Sequence, residues 1–274
     1  MTNKNKSAIP SRILKAVELA DKSWRSVLID GLEAMMEANP DYLPALEEDD
    51  YLPTQGRIFN AFTQPLQKVH YVLFGEGPYP REESATGVCF MDGAVTELWS
   101  EKGLSKPVNR ATSLRNFMKM LLVTEGYLTM EKTSGEAIAE IAVQAQAEDS
   151  TFIQTLPELQ KNLHRHGFLL LNAALVFRPH VPPLKEGKAW QPLQQKVLCA
   201  LADHADDTDK APPTLVLWGK VAELLSTLPA NARFPKAISE HPYNISFIGN
   251  PVMQSMFGPM RLLQKDSKPS VLVK

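Results

Sequence analysis

Three short apolar runs constrain this chain most: Val69-His70-Tyr71-Val72-Leu73-Phe74, Gly167 to Asn172 (GFLLLN), and Thr214 to Trp218 (TLVLW). Each stops at a loop-forming residue: Gly75, Asn172 or Gly219. Continuous apolar stretches of this length, bounded by such residues, mark strands buried on both faces of a parallel sheet. A fourth, weaker strand is expected at Lys236 to Ser239, just before His241. Helical spacing fills the intervals. Ile13, Leu14, Val17 and Leu19, then Trp24, Val27, Leu28, Leu32 and Met35, predict one or two helices between Ser11 and Asn39. Pro40 to Gly56 reads as a connecting loop. Ser113 is placed to N-cap a helix through Val123, and further helices are expected ending near His164, over Gln191 to Leu201, and over Val221 to Leu228. Strands alternating with helices define an α/β chain, a three-layer αβα domain around a central, mainly parallel four-stranded sheet. Ligands in such sheets bind where the strand C-termini open into loops. The segments beginning at Gly75, Asn172 and His241 therefore carry the functional expectations.

The chain has 274 residues, 44% apolar and 22% charged, enough for a full core, and reads as one domain over 1–274. Residues 132–160 read as an insertion or a longer helical excursion, Ala202 to Pro213 as an acidic surface loop, and 265–274 as a flexible tail. No run of about 18 apolar residues is present, and the N-terminus lacks the apolar stretch of a secretory signal. No membrane association is expected. Two distant cysteines, Cys89 and Cys199, point to a reducing, cytoplasmic setting and to neither a zinc site nor a metal cluster. A net charge of −2 and a pI near 6.3 give no global basic footprint, although 29 Lys and Arg leave room for a local one.

The loop after the first strand reads Gly75-Glu76-Gly77-Pro78-Tyr79-Pro80 and runs on to Phe90. Its glycines let backbone approach a ligand, Tyr79 can wall a pocket, and Phe90 offers a flat face to a planar ring. The plainer alternative is a β–α turn with Phe90 in the core. Asn172 stands at the exit of an apolar strand, its amide suited to reading the edge of a pyrimidine; alternatively it caps a turn. In His241-Pro242-Tyr243-Asn244-Ile245-Ser246, the histidine can stabilise a developing anion and Ile245 can wedge into a base stack. The alternative there is a turn with a satisfied histidine.

Taken in order, these segments resemble the main uracil-DNA glycosylase family over most of the chain. That family's GQDPYH loop and the GLCF segment at the same spacing correspond to Gly75–Pro80 and Gly87-Val88-Cys89-Phe90. Its SLxN motif corresponds to Ser113-Leu114-Arg115-Asn116, its LLLN strand to Leu169–Asn172, and its HPSPLS loop to His241–Ser246. Tyr51-Leu52-Pro53, Phe59-Asn60-Ala61-Phe62 and Lys188-Ala189-Trp190 resemble further family segments in their proper places. Each motif is weak singly; their order and spacing are specific. The resemblance implies a monomeric, cofactor-free, metal-free N-glycosylase that binds DNA and flips out the damaged base. It implies that Phe90 stacks on uracil, Asn172 reads its edge, Tyr79 excludes a 5-methyl group, His241 stabilises the leaving oxygen and Ile245 fills the vacated stack, with Gly75 and Gly77 lining the base site. Ser84, Ser113 and Ser246 fall on its phosphate-contact loops.

One position breaks the pattern. The family's catalytic aspartate falls at Gly77, and its loop histidine at Pro80. Loss of one transition-state charge costs about 2.7–4 kcal/mol, roughly 10²–10³ in rate. An iron–sulfur branch of the same superfamily has a GEGPG-type loop, however, and Gly75-Glu76-Gly77-Pro78 resembles it, without the cysteines for its cluster. Glu76 is accordingly the expected replacement carboxylate. Three readings follow: a glycosylase for uracil or a related deaminated base, an inert paralogue that binds DNA or a protein, and an enzyme for another base such as hypoxanthine or a modified pyrimidine.

Overall fold

The computed structural model describes residues 9–265. Along them run α1 (Ser11–Val17), α2 (Lys22–Ala38), α3 (Tyr42–Glu47), β1 (Tyr71–Gly75), and the two-residue strands β2 (Trp99–Ser100) and β3 (Gly103–Leu104). Then come α4 (Lys106–Arg110), α5 (Thr112–Thr124), α6 (Gly135–Ala145), α7 (Leu156–Arg165), β4 (Phe168–Asn172) and α8 (Pro183–Asp207). The last elements are β5 (Thr214–Trp218), α9 (Val221–Ser226), β6 (Lys236–Ser239) and α10 (Pro251–Phe257).

The four expected strands form one parallel sheet in the order β4–β1–β5–β6. Side chains alternate between its faces, as the strand period of two requires. Val72, Phe74, Leu169, Leu171, Leu215 and Leu217 enter a core shared with α1, α2, α3, α8 and α9. Leu73, Phe168, Leu170, Val216, Trp218 and Ala237 enter a second core, shared with α5, α6, α7 and α10. Three layers result because no strand of the central pair has a polar face to show water. The register aligns Gly75 with Asn172 and Trp218 with Ser239, so one rim of the sheet collects the ends of all four strands.

Local chemistry sets the helix starts. Asp21 accepts the Ser23 N–H to open α2, and Thr155 with Glu158 forms a reciprocal capping box on α7. Several local expectations are corrected. Pro40 to Gly56 is not all loop: Leu43 and Leu46 bury one side of α3. Ser113 is no N-cap, because α5 already begins at Thr112, with Ala111 in the capping position and no side-chain cap. Half of the acidic stretch Ala202 to Pro213 belongs to α8, whose Ala202 and Ala205 are buried. The 132–160 stretch contributes Ile138, Ile141, Phe152 and Leu156 to the second core. Of the tail read at 265–274, only Lys265 lies within the described residues. Among those residues, no helix is long and apolar enough to cross a membrane.

Candidate active site

A cavity of about 230 Å³ opens on the collected strand ends. Its lining includes Gly75, Glu76, Gly77, Tyr79, Phe90, Ser113, Asn172, Trp218 and His241. Drug-sized sites run to roughly 300–1,000 Å³, so this one suits a single small ring.

The floor is tightly constrained. A Cβ at Gly75 would lie 2.6 Å from Cys89 Sγ and 2.7 Å from Asn172 Oδ1, so only glycine lets these two neighbours approach. Asn172 is 5% exposed, and its main-chain oxygen accepts from Gln194 Nε2 of α8 at 2.8 Å. The Cys89 N–H donates to Leu170 O at 3.0 Å, tying the Phe90 segment to β4; burial pushes the Cys89 thiol pKa up to about 12. Phe90 itself has φ +68, a conformation that strains a residue with a Cβ and recurs where structure over-determines a functional side chain. Its ring meets Phe117 at 5.3 Å and Trp218 at 5.2 Å, both edge-on. The remaining face is left to the cavity. Tyr79 walls the same cavity and a neighbouring one of about 490 Å³; burial, helped by Cys89 and Asp92, holds its hydroxyl protonated far above the usual tyrosine range.

His241 lines the cavity from the loop after β6. Gly219 has φ +60, and a Cβ there would meet His241 Cβ at 3.0 Å, so a glycine lets the two loops close. The Tyr243 N–H donates to His241 Nδ1 at 3.1 Å. Nδ1 is therefore the acceptor, and in the neutral ring the proton sits on Nε2. Burial lowers the His241 pKa below its ordinary 6.5, while the charge of Glu76 pulls the other way. The ring is thus a neutral donor at physiological pH.

The Glu76–Gly77 edge is built differently. Both residues are exposed, and the backbone is pinned to the segment that follows β4 by Ala173 N→Gly75 O at 2.8 Å and Ala174 N→Glu76 O at 3.0 Å. A Cβ at Gly77 would make only ordinary contacts, 3.6 Å from Ala174 Cβ and 3.7 Å from Ala174 O. The site has space for a side chain at position 77; the chain simply lacks one.

One of the expected phosphate contacts is corrected. Ser84 is fully buried, folded under a turn in which its N–H donates to Arg81 O at 3.1 Å, so its hydroxyl has no access to DNA. Ser246 is exposed. Ser113 does border the cavity, and Ile245, which follows the His241 turn, is 75% exposed. Three contributors went unassigned from sequence. Trp218 supports Phe90, Gln194 fixes the Asn172 backbone, and Asn116 Nδ2 donates to Pro242 O at 2.7 Å, holding the histidine turn. A signal existed for each: an aromatic at a strand end, or an amide on an otherwise apolar helix face.

Fold and site together define a three-layer α/β protein with a small planar-ring pocket at the C-terminal rim of a parallel sheet. No family model matches the chain. A solved structure of the wild-type UNG from Nitratifractor salsuginis is 37% identical, with a TM-score of 0.80, covering 92% of this chain and 95% of that one. Uracil-DNA glycosylase from Mycolicibacterium vanbaalenii is 27% identical over 213 residues, 77% of this chain and 76% of the relative. That of Corynebacterium glutamicum is 26% identical over 227 residues, covering 82% and 80%. The chain belongs to the uracil-DNA glycosylase superfamily.

Proposed function

We propose that this protein is a DNA glycosylase that hydrolyses the N-glycosidic bond of uracil, or a related deaminated base, flipped out of DNA as the first step of base-excision repair. The carrying observation is the convergence of one aromatic face, one planar amide and one neutral imidazole donor on a cavity sized for a single ring. In this reading Phe90 stacks on the base, and the Asn172 amide pairs with its edge. Tyr79 stands where a 5-methyl group would go. Gly75 and Gly77 give the backbone its close approach, with Ser113 facing the phosphate beside the pocket.

The bond between the sugar C1′ and the base nitrogen breaks with its electron pair going to the base. Negative charge develops on the pyrimidine oxygen, which accepts from His241 Nε2–H. Positive charge develops on the sugar ring, and the Glu76 carboxylate opposes it and takes a proton from the water that attacks C1′. Ile245 occupies the space the base leaves. The protein acts as a monomer in the cytoplasm and needs no cofactor.

Gly77 favours a second reading, a paralogue that binds DNA or a protein partner without cleavage. An assay for abasic product on oligonucleotides carrying a panel of altered bases separates the two. Uracil release without added metal supports the glycosylase. Absence of product from every base, with recovery on Gly77→Asp, supports the inert paralogue.

A further inference from the structure

Beside the cavity, the His241 turn presents a second large apolar side chain. Tyr243 is 68% exposed and Ile245 75%. Other exposed apolar residues, such as Val143 and Leu184, sit singly on separate helices, as is ordinary for a protein surface. Here two stand one residue apart on a segment that is held from every side. Asn116 Nδ2 donates to Pro242 O at 2.7 Å and to Tyr243 O at 3.3 Å. The Asn244 N–H donates to His241 O at 2.9 Å, and the Tyr243 N–H to His241 Nδ1. On the far side Glu240 accepts from Asn250 Nδ2 at 2.8 Å, and buried Phe247 and Ile248 root the segment in the second core and its edge. The backbone that carries the two exposed side chains is therefore fixed before anything binds. A surface so prepared has its ordering cost already met before it binds.

We propose that Tyr243 is a second stacking residue, which lies against the base flanking the nucleotide extruded into the cavity while Ile245 fills the gap. The proposal rests on the glycosylase reading and extends it to a residue that sets how the neighbouring base is held. The occupant is a nucleobase because the same turn carries His241 into the base cavity, so the wedge is continuous with the site. A tyrosine ring offers a π-face that any base can meet. A prediction about context follows: base pairs next to the lesion that unstack readily give the tighter complexes.

The test is equilibrium binding to a duplex with one non-hydrolysable 2′-fluoro-2′-deoxyuridine flanked by fluorescent 2-aminopurine, comparing wild type, Tyr243→Ala and Tyr243→Phe. Stacking by one aromatic predicts an affinity loss of about 5- to 150-fold for Tyr243→Ala. The 2-aminopurine signal change should shrink with it, and Tyr243→Phe should keep both. The salt dependence of binding should be the same in all three, since no phosphate contact is altered. Wild-type affinity in Tyr243→Ala overturns the proposal, as does a Tyr243→Phe as weak as Tyr243→Ala or a reduced salt slope in either variant. Failure of the wild type to bind this duplex removes the glycosylase reading as well; a wild type that binds it beside an equally tight Tyr243→Ala removes only Tyr243.

Discussion

The two sides of the cavity are held by different means. The floor, made by Gly75, Cys89, Phe90 and Asn172, is packed so closely that a single Cβ at Gly75 would fall 2.6–2.7 Å from its neighbours. The rim at Glu76 and Gly77 is exposed, fixed only through its backbone, and has room for another side chain. In the proposed mechanism the floor recognises the ring, and at Gly75 even one added carbon would displace its neighbours. In the proposed mechanism the rim acts on water and charge, and there a carboxylate can shift by one position at little structural cost. That difference explains how the chain keeps the family's pocket while departing from its loop.

Substitutions at the two glycines should separate floor from rim most sharply. Gly75→Ala forces Cys89 and Asn172 apart, an overpacking that costs about 1–3 kcal/mol. At 2–4 °C per kcal/mol, thermal melts should fall by about 2–12 °C, and displacement of Asn172 should reduce base excision about 10²-fold. Asn172→Ala should leave the melting temperature close to wild type and weaken excision about 5- to 150-fold, the range for one buried hydrogen-bonding group. A normal rate in that variant would remove the amide from base reading. Gly77→Ala should shift stability by no more than about 0.5 kcal/mol, so its melt should overlay the wild type. A large drop there would show that the rim is as constrained as the floor.

The smallest effect is electrostatic. Burial lowers the His241 pKa, so its neutral, Nε2-protonated form persists as pH falls through 6.5, and excision should hold constant there. Stability falls as pH drops from 6.5 to the folded-state value, where only the unfolded chain takes up the proton, and levels off below it; acidification through that folded value protonates Nδ1, displaces the Tyr243 N–H and should depress activity. Because the Glu76 charge acts to raise this pKa, Glu76→Gln should move it further down, as read from the ring protons by NMR. An upward movement would contradict the placement of Glu76 near His241.

Much of this architecture was legible in the chain. The GFLLLN, TLVLW and KAIS segments became strands within a residue of their expected bounds, because fully buried parallel strands leave a local signature. The ends of helices were less legible where distant partners decide them. The acids of Ala202–Pro213 looked like a loop, yet Asp203 and Asp206 lie on α8 and pair with Arg233, 30 and 27 residues away. Likewise Asn116 holds Pro242 across 126 residues, and Gln194 holds Asn172 across 22. Ser84 misled because loop membership says nothing about which way a turn folds its hydroxyl. Cavity-lining residues at the strand ends could be read from sequence; the residues that position them could not, since their contacts exist only once the chain has closed.

Single-turnover cleavage of a uracil-containing oligonucleotide by wild type, Glu76→Gln and Glu76→Gln/Gly77→Asp tests the central claim most directly. A transferred carboxylate predicts release of uracil by the wild type, a loss of about 10²–10³ in the single variant, and recovery when the aspartate is placed in the space beside Ala174. Equal rates for wild type and Glu76→Gln would contradict it.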